Sequence, residues 1–478
     1  MLDPVFKPEL VTQPAALESA AAPLAAPLSA TLRRNATSLL LGHPWFDDVG
    51  LRLLKRYFFP LSRLWALAHP ADGSVQQYRA ALPSPSRLDN TTAIAQALSR
   101  FEARRATSAA LDAAWEQVFF GPHDHPLSYR EAIEQGRIAH RHAFNATRRH
   151  FWPLLDRDVP AVRLDIQTPD ATAAVFRPAL ADLKPFTYPP ARIPAVAVSR
   201  SVRTVGGIDT WVRFKSPSAR LGDTVTARVS TPVGVLNPPT LIFGHGVCVE
   251  FDHWQGLVDE VGALVKGGIR VIRPEAPWHG RRATSGYFGG ERLIATFPMG
   301  LLDALTGAVQ EWAVLAHWAR ATSSGVIAFG GTSLGALTAQ FAADRARDWQ
   351  DDLKPKALFL ITHCGHVSDA IQHGALARIW GGPEAAAAKG WTEDLAAPYL
   401  GLLDPVRRPV VKPSAIVSVL GRRDVVTPFA SGRAAIEDWC VPAENAFLLD
   451  RGHFSVPMTL LRETAPVRRF IEVLTNVR

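Results

Sequence analysis

The stretch from Gly325 to Asp344, GVIAFGGTSLGALTAQFAAD, constrains this chain more than any other. Val326, Ile327, Ala328 and Phe329 form an apolar run suited to a strand buried on both faces, and it ends abruptly in Gly330, Gly331, Thr332, Ser333, Leu334 and Gly335. Beyond the glycines, Leu334, Leu337 and Phe341 recur at helical spacing. Strand, sharp turn and helix thus follow in the order that lets a G-x-S-x-G segment expose its serine at the tip of the turn. Gly331 and Gly335 lack the Cβ atoms that would collide when a strand reverses into a helix within two residues. Ser333 then stands over a helix N-terminus, whose free N–H groups and partial positive charge favour developing negative charge. The plain alternative is a glycine turn that only packs helix against strand.

The remainder of the chain is read around this turn. From residue 240 the pattern alternates strand and helix: strands over 240–244, 269–273, 326–329, 357–361, 415–420 and 446–449, and helices over 254–265, 301–321, 429–438 and 456–473. That alternation predicts an α/β fold, a mostly parallel sheet with helices on both faces. Between 161 and 239 helical periodicity fades, and 195–205, 210–214 and 225–229 read as short antiparallel strands at the edge of the same sheet. Residues 35–160 read as a helical N-terminal region. Its first helix carries a stripe of Leu51, Leu54, Phe58, Leu61, Trp65 and Ala68, with Arg52, Lys55, Arg56 and Arg63 mostly off it and a break at Pro60. Further helices are predicted over 90–115, capped by Asn90, and over 129–151. His140, His142 and His150 lack metal-ligand spacing with a carboxylate and read as surface or interface histidines.

A serine hydroxyl is a poor nucleophile at neutral pH, so it needs a base, and the base needs an orienting carboxylate. Asp424 follows the strand ending at Leu420, and His453 follows the strand ending at Leu449. Both fall at the C-terminal edge of the expected sheet, where Ser333 also lies. Turn or capping roles are the structural alternatives for Asp424, and a backbone-bonded structural role is the alternative for His453. Asp369 and Asp450 are rival acids, Asp450 being better placed to cap its own strand end. A tetrahedral oxyanion needs two pre-placed N–H donors. Leu334 supplies one directly after the nucleophile; Val247, or else Gly246, supplies the other from the loop after 240–244. His245, with no carboxylate to orient it, reads as a wall or packing residue.

GTSLG, the HG at 245–246, GRRD at 421–424 and RGH at 451–453 together resemble the α/β-hydrolase superfamily over about 195–478. The resemblance implies a serine hydrolase whose triad is Ser333, Asp424 and His453. It also implies that PWHGRR at 277–282 is a structural turn beside the site, so His279 is not made catalytic. HGVC stands where many esterases carry HGGG, and a serine stands at 333 where dehalogenases carry an acid and some relatives a cysteine. The KRYFFPLSRLW segment at 55–65 is similar to hydrolases that carry a helical extension.

Length and composition bound what surrounds this site. With 478 residues and 47% hydrophobic content, the chain buries a large core, and no run of 18 apolar residues suggests a membrane span. The formal charge of +8 is spread along the chain: 18 Lys and Arg against 15 Asp and Glu fall in the first 160 residues, which argues against a basic nucleic-acid tail. Peripheral membrane contact through the basic amphipathic segment is the lesser alternative to packing on the protein itself. Cys248, Cys364 and Cys440 suit free thiols in a reducing compartment. Residues 14–30 are Ala-rich but interrupted by prolines, so 1–34 reads as a disordered leader rather than a signal peptide, and the cytoplasm is the expected location. No Gly-rich phosphate loop or cysteine cluster calls for a nucleotide, metal or other cofactor. Residues 161–478 form the expected hydrolase domain, with cap or lid pieces over 284–299 and 363–413. Trp380, Trp391 and Tyr399 are either cap core or walls of an acyl pocket, and Arg281 and Arg282 read as solvated. The expected activity is cleavage of a carboxylic ester through an acyl-enzyme. An acyltransferase on the same triad, or a silent binding protein, are the alternatives.

Overall fold

A computed structural model describes residues 43, 45–83, 90–204, 206–249, 261–405 and 408–477. The leader expected over 1–34 and the first part of the helix expected over 254–265 lie outside the described residues.

Among the described residues ten strands form one sheet. They are β1 (Ala197–Val198), β2 (Val202–Thr204), β3 (Gly207–Lys215), β4 (Thr224–Pro232), β5 (Thr240–Gly244), β6 (Arg270–Pro274), β7 (Ile327–Thr332), β8 (Ala357–Ile361), β9 (Ile416–Gly421) and β10 (Ala446–Leu449). Their order is β1-β3-β4-β6-β5-β7-β8-β9-β10, with β2 also paired to β3. From β6 through β10 every pairing is parallel, while β4 runs antiparallel to both β3 and β6. The fold is therefore the expected α/β architecture.

Strand side chains alternate between faces, and the core divides accordingly. Leu241, Phe243, Phe359 and Ile361 point into one cluster with helices Gly262–Lys266, Ser455–Leu460 and Ala465–Asn476. Ile242, Leu358 and Leu360 point into the other, with the long helix Met299–Thr322 and the helix Leu334–Arg345 that leaves the Gly-rich turn. Helices thus cover both faces. The second cluster continues without a break across residue 160 into the N-terminal helices, through Phe59, Trp65, Phe101, Phe144 and Phe151.

The main helices there are α1 (Trp45–Leu53), α2 (Phe59–Ala71), α3 (Thr91–Phe120) and α4 (Leu127–Asn145), with a π-helical segment Leu54–Phe58 between α1 and α2, a short helix Val75–Ala81, and a 3-10 segment Ala146–Leu154 that carries Phe151. The break expected at Pro60 is absent: Phe58 and Phe59 keep right-handed helical backbone, and the π-helical turn, closed by Phe59 N–H donating to the Leu54 carbonyl, leads straight into α2 at the proline. The predicted single stripe fails on α2. Every residue from Phe59 to Ala68 is buried, because α2 lies between the sheet domain and its own helical neighbours, while Phe58 faces outward. Arg63, expected off the apolar stripe, is 2% exposed. It survives burial by donating to both Glu291 oxygens at 2.6 and 2.5 Å and to the Gly286 carbonyl. Arg282, expected to be solvated, is also buried: it makes two bonds to Asp223 at 2.8 Å and two to Glu311 at 2.9 and 2.7 Å. Arg281 pairs with Glu275 at 2.7 Å.

The region 161–239 holds more helix than its periodicity suggests, with helices Pro169–Ala181 and Lys184–Thr187 ahead of the strands. The described residues of 363–413, the stretch expected to hold a cap, form four short helices, Val367–Gln372, Ala375–Trp380, Gly382–Ala388 and Glu393–Gly401. Trp391 ties this cap back by donating from Nε1 to the Gln167 carbonyl at 2.7 Å.

Candidate active site

β7 delivers Ser333 at its C-terminal end, where the chain turns straight into helix Leu334–Arg345. Turning that sharply forces Ser333 to φ 56°, ψ −116°, a region that L-residues rarely occupy. The turn is possible because three glycine backbones touch. A Cβ on Gly335 would lie 2.1 Å from the Gly244 carbonyl carbon and oxygen, and one on Gly331 would lie 2.4 Å from the Gly335 carbonyl carbon. Ser333 N–H donates to Ile361 O of β8 at 2.9 Å, which fixes the tip to the neighbouring strand.

Three side chains from three loops converge here. His453 Nε2 lies 3.0 Å from Ser333 Oγ, and His453 Nδ1 lies 2.8 Å from Asp424 Oδ2. All three are nearly out of water, at 8, 6 and 6% exposure for Ser333, His453 and Asp424. Asp424 is held by its own loop: Oδ1 accepts from the N–H groups of Val426 at 2.8 Å and Thr427 at 2.9 Å. Thr427 Oγ1 lies 2.9 Å from Asp424 Oδ2, 3.0 Å from the Thr362 carbonyl and 3.2 Å from His453 Nδ1. The rival acids are occupied elsewhere. Asp369 accepts from Ser431 Oγ, and Asp450 pairs at the surface with Arg423 at 2.7 Å.

Opposite the histidine lies the loop after β5. Gly246 is against the serine, since a Cβ there would sit 3.7 Å from Ser333 Cβ, and Val247 lines the same cavity as Ser333 and Leu334. Leu334 opens its helix, so its N–H has no intrahelical acceptor. Two histidines brace this loop. His279 Nδ1 donates to the Pro277 carbonyl at 2.9 Å, which leaves Nε2 to accept from Cys248 N–H at 3.0 Å. His245 Nδ1 donates to the Gly246 carbonyl at 2.8 Å and Nε2 accepts from Ala276 N–H at 3.1 Å. Both are neutral Nδ1–H tautomers by this pattern. His245 is thus more than a wall: with His279 it sets the loop's distance from the 276–279 turn.

One neighbour of the site comes from the other end of the chain. Asp47, the buried residue of α1, accepts at Oδ1 from Phe454 N–H at 2.6 Å and at Oδ2 from Ser455 Oγ. Ser455 Oγ in turn accepts from Gly452 N–H at 2.9 Å. Asp47 therefore holds the two residues after His453 directly and Gly452 before it through Ser455, and a Cβ on Gly452 would fall 2.3 Å from the Asp47 Cγ. Burial lifts its carboxyl above the usual carboxylate range, against the pull of the Ser455 and Phe454 bonds and of the His453 charge.

A cavity of about 550 Å³ opens from Ser333 beneath the cap. Trp380 and Trp391 line it, whereas Tyr399 packs edge-on behind Trp391 at 5.9 Å. Among the described residues no group of three His, Cys, Asp or Glu side chains is placed to hold a metal ion, and no helix is long and apolar enough to cross a membrane.

Serine at a strand-to-helix elbow, then an acid after β9, then a histidine after β10, with a loop after β5 facing the serine, is one specific arrangement. The chain has the α/β-hydrolase fold. No family model matches the sequence, and no curated protein does. Solved structures similar to it include acetyl xylan esterase 1 from Thermoanaerobacterium sp., 15% identical over 65% of this chain and 96% of that one, with a TM-score of 0.45. A cold-adapted esterase from an Arctic intertidal metagenomic library is 14% identical over 58% of this chain and 98% of its own, with a TM-score of 0.37. The S-formylglutathione hydrolase of Agrobacterium tumefaciens is 13% identical over 58% and 99%, also with a TM-score of 0.37. Within the hydrolase fold of this chain, the helical region before residue 160 packs against the same face that carries the long helix Met299–Thr322.

Proposed function

We propose that the protein is a serine hydrolase that cleaves a carboxylic ester through an acyl-enzyme on Ser333. The unbroken chain Ser333 Oγ, His453, Asp424, with links of 3.0 and 2.8 Å, carries this reading. His453 Nε2 takes the hydroxyl proton as Ser333 Oγ bonds to the acyl carbon, and it returns that proton to the leaving alkoxide. Asp424 keeps the Nδ1–H tautomer in place and offsets the imidazolium charge. The N–H groups of Leu334 and of Val247 or Gly246 meet the oxyanion. Water then attacks the acyl-enzyme with His453 as base, and the acid leaves.

A fluorophosphonate probe tests this directly. Wild-type protein is expected to label stoichiometrically at Ser333 and Ser333→Ala not at all, with hydrolysis of any accepted ester falling by about 10⁴-fold or more. Folded wild-type protein that never labels, or labels elsewhere, would remove the proposal.

A further inference from the structure

The cavity beside Ser333 says more than that an acyl group fits. Its walls come from the cap helices, through Ile371, Leu376 and Trp380, from Trp391, from Phe297, and from Leu301 at the start of the long helix Met299–Thr322. Polar side chains are few: Gln372, His373, Thr392 and Glu393 among the cap residues, and Thr427 with Ser333 at the triad. Among the described residues that line it none is a lysine or arginine. An anionic acyl group would enter with no lysine or arginine to pair with and would meet Glu393, and burying an unpaired carboxylate is strongly unfavourable. An alkyl chain would instead exchange water for apolar side chains along its whole length. At about 550 Å³ the space is that of a site for a sizeable ligand and far exceeds what an acetyl group fills.

We infer that the acyl half of the substrate is uncharged, apolar and long or bulky, which rests on the hydrolase reading above and narrows it. The test is kcat/KM on p-nitrophenyl esters from acetate to octanoate, with the mono-succinate as the anionic counterpart of butyrate. The expected result is a rise of about three- to fourfold per added methylene until the cavity fills. The succinate is expected at least about tenfold below butyrate. Ala387→Trp, at the solvent-facing edge of the cavity, and Ala370→Phe, half-buried in its wall, are expected to shorten the preferred chain. A flat series, a preference for acetate or succinate, or no turnover by protein that labels at Ser333 overturns the inference. Absence of labelling overturns the hydrolase reading with it.

A separate observation, the buried face of α1, carries a second inference. The side chains bonded to His453 are Asp424 and Thr427 from the loop after β9 and Ser333. Asp47 holds the Phe454 amide and the Ser455 hydroxyl, so the loop that aims His453 is fixed by a helix 407 residues earlier in the chain. The geometry points to Asp47 as a positioning residue for His453.

Asp47→Ala removes both anchors. Turnover is expected to fall about tenfold with KM within about twofold. Asp47→Asn keeps an acceptor for the Phe454 amide and is expected to recover part of that loss. Folded Asp47→Ala with wild-type kcat would overturn the inference, as would a loss carried by KM rather than kcat.

Discussion

Replacing Asp424 by Asn is expected to lower kcat by about 10⁴-fold while KM and folded stability change little. The loop determines which way the amide faces. Two N–H donors, from Val426 and Thr427, converge on Asp424 Oδ1 at 2.8 and 2.9 Å. The asparagine carbonyl satisfies them, and the amide NH₂ must then take the Oδ2 position against His453 Nδ1. A donor there selects the imidazole tautomer protonated at Nε2, the atom 3.0 Å from Ser333 Oγ, and that nitrogen can no longer accept a proton. Steady-state kinetics and the rate of fluorophosphonate labelling should fall together. A loss smaller than about tenfold would mean that another group orients His453, and Thr427 Oγ1 at 3.2 Å is the nearest candidate.

Arg63→Met is expected to destabilise the protein by about 3–5 kcal/mol, measured by urea unfolding. Arg63 and Glu291 are 2% and 0% exposed, so removing the guanidinium leaves a carboxylate with only the amides of Arg163 and Phe288 as donors, at 2.8 and 3.0 Å. Burial already raises the Glu291 carboxyl above the ordinary range, with the Arg63 charge opposing it. Without Arg63 the folded protein holds that proton to higher pH than the unfolded chain does. The folded state then binds more protons than the unfolded one, and the deficit should grow as pH rises through and above the ordinary carboxylate range. A second change, Glu291→Met, removes the stranded charge and should recover part of the loss, though it leaves two backbone amides without acceptors. Equal stability of Arg63→Met and wild type would show that water reaches Glu291.

The contrast between these two sites explains what was legible in the sequence. Ser333, Asp424 and His453 each follow a short apolar strand within a few residues, so local patterning alone places them at one sheet edge. Asp424 was favoured over Asp369 and Asp450 by its place after the strand, and the loop geometry shows why the rivals stand aside, Asp369 bonded to Ser431 and Asp450 to Arg423. Arg63 and Arg282 could not be read, since a buried cation looks like a solvated one until its partner is known. The Arg63 partner is 228 positions away. Asp47 was hidden for the same reason, on a helix whose other residues are partly or fully exposed. Helix Pro169–Ala181 was missed despite a usable start signal: Thr168 caps it by accepting from Ala171 N–H at 3.3 Å, and Pro169 follows in the first turn. Pro178 inside that helix masked the periodicity.

The backbone of Ser333, at φ 56° and ψ −116°, has an implication for how this protein changes under selection. A conformation of that kind costs on the order of 1–3 kcal/mol for a residue with a side chain and much less for glycine. Heat resistance and turnover therefore pull position 333 in opposite directions. A library of variants sorted only by survival on heating would enrich glycine there, and would return sturdier proteins that no longer react.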